Sequence, residues 1–383
     1  MGLITEIELE DPQTLEESAF ATEPQRLRPP VHGKQMKVGI FSWQPGLLGE
    51  TKSSAGGEGY VRFLIDVLRY QKYEVIWLAS GPAVPARTIK GNAKDVDVAL
   101  FLWRWEMKDY PERNALYKEQ MDLLFQLDQL DIPIIIHDED HKISPVDLKL
   151  LKEMGVMLTA PELNPRPGFR TLHYPSPWLY RNIFPWLKDY GLLHLEPWNR
   201  IPFMATTALT YVGNMYERYE QAKEFLNPLA KTSAVVQVYG NWLESGPNRP
   251  GKKVVTKEMP DVDFHGRLSM KMVVETLAQA NSTIHLFKPS YGKTGFVTWR
   301  WIEAAAAQTP AFIPSNFWLP KGYKREFAKC GFIVNDGEDL LKKYETLTDA
   351  NWRETVALQT QFVQEHCDIW RWLDLIDEAQ EKK

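Results

Sequence analysis

Short apolar runs alternate with amphipathic helical stretches along most of this chain, and no other feature narrows its fold as much. The first run is MKVGIFSW, Met36–Trp43. A glycine-rich loop and the helix-spaced stretch YVRFLIDVLRYQKY lead to a second run, YEVIWLAS. Strand, helix, strand in that order is a βαβ unit, which demands parallel pairing and a right-handed crossover. VDVALFLW, IPIIIHDED and VMLTAPE continue the series with helices between them. Residues 164–203, rich in proline and tryptophan, break the pattern. A second series begins at ALTYVGN, Ala208–Asn214, and runs through AVVQVYGN, DVDFHGR, STIHLFKPS, TPAFIPS and CGFIVND. The pattern predicts an α/β chain of two doubly wound, Rossmann-like domains facing across a cleft, its C-terminal helix crossing back. The expected division is an acidic, Pro-rich tail over 1–33 and a first domain with an irregular linker over 34–206. A second domain follows over 207–355 and a helical crossover over 356–383.

Size agrees with this division, because 383 residues exceed what one core of roughly 250–300 residues organises. The net charge of −5 argues against a protein that coats nucleic acid and leaves room for a local basic cleft. Two cysteines, Cys330 and Cys367, exclude a disulfide framework and a Cys-rich zinc site, and fit a cytoplasmic location. No apolar run reaches the roughly 18 residues of a membrane span, and the acidic N-terminus does not read as a signal peptide.

Facing doubly wound domains bind ligands at the carboxyl ends of their strands, so the loops there carry the chemistry. ETKSSAGGEGY places Gly56, Gly57 and Gly59 before a helix, where free amides meet an anion; a plain flexible loop reads equally well. IIIHDEDH puts His137 and Asp138 at a strand tip, suited to orienting an acceptor hydroxyl. Its spacing matches no standard zinc pattern, and a solvated turn is the bland alternative. Arg267 and Lys271 stand four apart and, if helical, present two cations to a diphosphate, or else a solvated basic face. The same choice applies to Arg218. Lys293, Thr294 and Gly295 read as a loop at a helix N-terminus, two turns ahead of Glu303, whose carboxylate suits a ribose diol. Ala304–Ala307 lets that helix pack closely.

Three stretches together resemble the GT-B glycosyltransferases that use nucleotide-sugar donors, of the retaining class. They are SSAGGEGYVRFLIDVLRYQKYEVIWL, the glycine turn YVGNMYER with Gly213, Asn214 and Arg218, and KPSYGKTGFVTWRWIEAAAAQTPAFIP. The sequence departs from the family pattern in having Lys293-Thr294-Gly295 near the first Glu of a paired motif, Gln308 for Gly, and Asn214 where Arg is common. The resemblance implies transfer of a sugar from a nucleoside diphosphate, a UDP-sugar, to an acceptor hydroxyl, with no resident cofactor and no metal. It implies donor contacts from Gly56, Gly57, Gly213, Asn214, Arg218, Gly240, Lys293, Thr294, Gly295 and Glu303, and charge stabilisation by Arg267 and Lys271. IIIHDEDH and VYGNW are similar to pieces of bacteriophage α-glucosyltransferases that act on hydroxymethylated cytosine. That implies a double-stranded DNA acceptor in a phage-infected cell, met by Arg166, Arg170, Tyr174, Trp178 and Arg181. A glycan, lipid or small-molecule acceptor, an epimerase or phosphorylase, or an inactive binding protein on the same fold are the alternatives.

Overall fold

The structure, a computed structural model, describes residues 36–42, 56–80, 88–106, 114–177, 208–246 and 249–381. The expected tail over 1–33, the loop 43–55 and the linker beyond 177 lie outside the described residues.

The first unit is built on seven parallel strands. They are β1 (Lys37–Phe41), β2 (Glu74–Trp77), β3 (Ile89–Lys90), β4 (Val98–Leu102), β5 (Ile134–His137), β6 (Met157–Ala160) and β7 (Phe169–Thr171), in the order β3-β2-β1-β4-β5-β6-β7. Helices α1 (Gly56–Tyr70), α2 (Ala115–Gln129) and α3 (Pro145–Glu153) connect them. All five residues of β4 and all four of β5 are buried, as expected of strands covered on both faces. α3 starts where Ser144 accepts the Asp147 amide and Pro145 takes the first turn. β7 is a correction to the irregular linker: between proline-rich flanks, Phe169–Thr171 pairs with Leu158–Ala160 of β6.

The second unit holds β8 (Ala208–Val212), β9 (Val235–Tyr239) and β10 (Asp263–His265) in one ladder. β11 (Thr283–Ile284), β12 (Ala311–Pro314) and β13 (Ile333–Val334) form another. A parallel bridge between Leu209 and Ser282, with the Thr210 amide donating to the Ser282 carbonyl at 3.0 Å, joins them in the order β10-β9-β8-β11-β12-β13. The strand order reverses between β8 and β11, the switch point at which doubly wound sheets take their ligands. Helices α4 (Tyr219–Ala230), α5 (Met270–Ala278), α6 (Pro289–Thr294) and α7 (Trp299–Ala306) follow β8, β10 and β11. The alanines of α7 are buried, and their small side chains let α5 and α10 (Asp349–His366), which comes after α8 (Lys321–Lys329) and α9 (Gly337–Glu345), pack close against it.

The chain then turns at 367–369, and its last helix, α11 (Trp370–Glu381), lies on β4 and β5 of the first unit. The Trp372 indole donates to the His173 carbonyl at 2.8 Å, and Tyr73 donates to Asp377 at 2.8 Å. The units also meet near the cleft floor. Glu162 and Phe296 form an antiparallel bridge, flanked by Leu163 N–H to Gly295 O at 3.1 Å and Val297 N–H to Pro161 O at 2.8 Å.

Candidate functional site

The loops after β8 and β11 flank the switch point of the second sheet, and cations gather there. Gly213 follows β8; its carbonyl accepts the Trp242 indole N–H at 2.7 Å. Gly240, at the end of β9, has φ +142° and lies so close that a Cβ would stand 2.1 Å from the Gly213 oxygen. No other residue type fits that approach. Asn214, next in the chain, offers its carbonyl to Arg218 at 3.3 Å. Arg218 precedes α4 and also donates to the carbonyls of Leu286 (3.2 Å) and Tyr216 (3.4 Å). Its guanidinium makes no ion pair with a carboxylate among the described residues. Arg300, in the first turn of α7, pairs with buried Glu303 one turn on. Arg218 and Arg300 both act on the phenol of Tyr211: burial pushes its pKa up and the two cations pull it back. Lys288, just before α6, is the third cation. Burial pushes its ammonium down, Asp140 pulls it up, and Arg218 and Lys142 push it further down. Arg218, Lys288 and Arg300 thus lie in the loops and helix start that flank the switch point, with Glu303 paired to Arg300 and with Asp140 and Glu217 acting on Lys288.

Across the cleft, the loop after β5 supplies carboxylates of two kinds. Asp138 is a structural anchor. It accepts the amides of Lys142 (2.7 Å) and Ile143 (3.3 Å) and the guanidinium of Arg166 at 2.8 Å, which also pairs with Glu162 at 2.8 Å. Asp140 has lighter ties: the Tyr291 hydroxyl donates to its Oδ1 at 3.3 Å. Burial pushes its carboxyl up, Lys288 pulls it back, and Asp138 pushes it up again, with Tyr291 and Lys142 opposing. A carboxyl raised toward neutrality and facing a donor-side lysine is suited to taking a proton.

Several sequence expectations change here. His137 is the last residue of β5, at the strand tip as expected, but it is fully buried there against Tyr174 and Trp372, with Nδ1 3.0 Å from the Thr159 hydroxyl, and so is not presented to an acceptor. Burial pushes its pKa down to about 3, so it is a neutral core histidine. Asp138 spends its oxygens on its own loop and on Arg166. Arg267 lies before α5 rather than on it, because Ser269 caps that helix, so the four-residue spacing to Lys271 does not align them. Its guanidinium is instead held by Glu244 at 2.9 and 2.7 Å. The Lys271 side chain lies outside the described residues. Lys293 and Thr294 end α6, with Gly295 as its left-handed cap at φ +64°, rather than opening α7, whose cap is Thr298. The Thr294 and Gly295 carbonyls bind the amides of Asn164 and Leu163, so this turn ties the units together. Glu303 is buried with its carboxylate engaged by Arg300 and Trp299. Gly56 and Gly57 open α1; the loop before them and their immediate surroundings are not described. Of the residues expected to meet DNA, Arg166 is held by Asp138 and Glu162, Arg170 pairs with Glu378 at 2.6 Å, and buried Tyr174 donates to the Glu139 carbonyl at 2.7 Å. Trp178 and Arg181 lie outside the described residues.

The residues missed in the sequence are Lys288, Tyr291 and Arg300, while Asp140 stood in the strand-end cluster IIIHDEDH but was passed over for His137 and Asp138. Arg300 had a readable signal, since it stands three before Glu303 on one helix face. Lys288 and Tyr291 meet Asp140 across the cleft, with no local signature.

No protein-family model matches the chain, and no curated protein matches it. Solved structures do. T4 phage beta-glucosyltransferase superposes with a TM-score of 0.54 at 15% identity, over 90% of this chain and 99% of that one. The fold is GT-B. T4 phage BGT in complex with UDP and Mn2+ gives a TM-score of 0.56 at 16% identity, again over 90% and 99%. A mutant of that enzyme in complex with UDP-glucose gives 0.56 at 15%. These relatives are beta-glucosyltransferases, whereas the sequence motifs resembled the phage α-enzymes. The Mn2+ in one of them runs against the expectation of a donor site without metal. Among the described residues, no group of three or more His, Cys, Asp or Glu is arranged to hold a metal ion, and no helix is long and apolar enough to cross a membrane.

Proposed function

We propose that this chain is a glycosyltransferase that holds a UDP-sugar at the switch point of the second unit and transfers the sugar to a hydroxyl presented by the first. The observation that carries the reading is the placing of three cations around the switch point: Arg218 held by the carbonyls of Asn214 and Leu286, Lys288 over the Tyr291 ring whose hydroxyl reaches Asp140, and Arg300 in the first turn of α7. As the glycosidic bond breaks, its electron pair and growing charge pass to the diphosphate. Fixed cations aimed at that oxygen stabilise the transition state more than the ground state. The acceptor oxygen bonds to the anomeric carbon as its proton passes to Asp140. A single displacement of this kind inverts the anomeric centre. Glu303 orients Arg300, and Gly213 and Gly240 let the loops after β8 and β9 approach each other closely.

The favoured acceptor is a 5-hydroxymethylated pyrimidine in DNA. Its support is the likeness to a structure described as the DNA modifying enzyme beta-glucosyltransferase. The first unit's Arg166, Arg170 and Tyr174 lend it none. Calorimetry with UDP and UDP-glucose, with Mn2+ and with EDTA, tests the donor site. Arg218→Ala weakens UDP binding roughly 10- to 100-fold, as loss of a charge-assisted contact does; unchanged affinity refutes the site. Incubation of UDP-glucose with 5-hydroxymethylcytosine DNA and with unmodified DNA, followed by mass spectrometry and anomer assignment by NMR, tests acceptor and stereochemistry. Equal absence of product on both, with turnover on a glycan or lipid, refutes the DNA acceptor.

A further inference from the structure

The turn after β5 docks on the second unit around the side chain of Tyr291. Tyr291, on α6, is 2% exposed, and its ring stacks on Phe296 with centroids 4.0 Å apart and planes 14° apart. His141 lies nearly parallel to both rings, 6.4 Å from Tyr291 and 6.3 Å from Phe296. The Tyr291 hydroxyl donates to the backbone carbonyl and to Oδ1 of Asp140, at 3.3 Å each. Ring and hydroxyl therefore grip consecutive residues of one turn. That turn needs holding: His141 has φ +58°, a conformation costly for any residue with a Cβ. Lys288 completes the arrangement, its ammonium 4.9 Å from the centre of the Tyr291 ring.

We infer that Tyr291 is a positioning residue: the donor-side unit uses its hydroxyl to fix the acceptor-side carboxylate, Asp140, belonging to the other unit. The inference rests on Asp140 being the proton acceptor proposed above. Every charged group facing Asp140 has its own sign. Asp138 raises its pKa, whereas Lys142 of its own loop and Lys288 and Tyr291 from the second unit lower it. Removing the hydroxyl alone, with the ring left in its stack, therefore moves the Asp140 titration upward. A packing role for the ring predicts no such movement.

The experiment uses the full chain carrying Tyr291→Phe, with aspartate labelled at the carboxyl carbon and the Asp140 resonance assigned through Asp140→Asn. The Asp140 midpoint rises by about half to one pH unit, the scale of one lost hydrogen bond to a carboxylate. With saturating UDP-glucose and 5-hydroxymethylcytosine DNA, the acid limb of kcat rises in step. kcat at neutral pH falls about three- to tenfold and the donor KM stays within twofold. A Tyr291→Phe protein whose Asp140 titrates as in the wild type overturns the inference, as does one in which only the melting temperature changes. If Asp140→Asn keeps full turnover, the proton-acceptor role falls. The NMR titration then still decides whether Tyr291 sets that carboxylate.

Discussion

Arg300→Ala separates the two tasks assigned to that side chain. Glu303 is 5% exposed, and the Arg300 side chain that neutralises it is 22% exposed. Without Arg300 the carboxylate keeps its contact from Trp299 but has no cation beside it. Breaking a fully buried pair costs 3–5 kcal/mol, and partial exposure here puts the loss near the lower end, about 3 kcal/mol at neutral pH. If Arg300 also reaches the diphosphate, UDP affinity falls by about 1.5–3 kcal/mol, roughly 10- to 150-fold. Adding Glu303→Gln to Arg300→Ala removes the stranded charge. Urea midpoints then recover by about 1–2 kcal/mol while UDP affinity stays low. Urea denaturation followed by tryptophan fluorescence reads the first quantity, and calorimetric titration with UDP the second. An Arg300→Ala protein that loses stability but binds UDP with wild-type affinity makes Arg300 a counterion of Glu303 and nothing more, and the three-cation argument fails with it.

Three further outcomes follow from the same structure. His137 and His285 are both pushed by burial to about 3, well below the unfolded value near 6.5. Between those values the unfolded chain binds protons that the folded one refuses, so stability falls as pH drops below 6.5, by about 1.4 kcal/mol per pH unit for each histidine. Comparing urea midpoints at pH 7 and 5 for the wild type and His137→Phe shows a shallower loss in the variant; equal slopes refute the assignment. Gly240→Ala forces a Cβ against the Gly213 oxygen at φ +142°, and a loss of about 2–3 kcal/mol with at least tenfold weaker UDP binding is expected. Wild-type behaviour in both assays would remove Gly240 from the donor loop. Arg267→Ala, which breaks an exposed pair with Glu244, changes stability by less than about 1 kcal/mol. It leaves UDP affinity within twofold, whereas a tenfold loss would return Arg267 to the diphosphate site.

The strands were readable because each is a short apolar run bounded by turn residues, and the switch point followed once two series were seen. What failed was the assignment of side chains to loop or core. The isoleucines of β5 announced a strand buried on both faces, yet His137, its fourth residue, was read as a strand tip facing an acceptor rather than as core. The end of α6 was legible too: Pro289 marks its first turn and Gly295 its stop. Taking Lys293–Gly295 as a helix start overlooked that pair of signals. Ser269 likewise marked the start of α5 and placed Arg267 outside it. Asp140 and Lys288, by contrast, come together only through the apposition of two folded sheets, and no periodicity encodes such a meeting.

The last helix belongs, by its contacts, to the first sheet. During synthesis the amino-terminal half therefore emerges from the ribosome before the helix that packs on β4 and β5, and before Trp372 can pack against His137. The two halves cannot mature in simple succession. The first to be made is the last to be finished, and a stop codon ahead of residue 370 would leave that apolar surface bare and prone to aggregate.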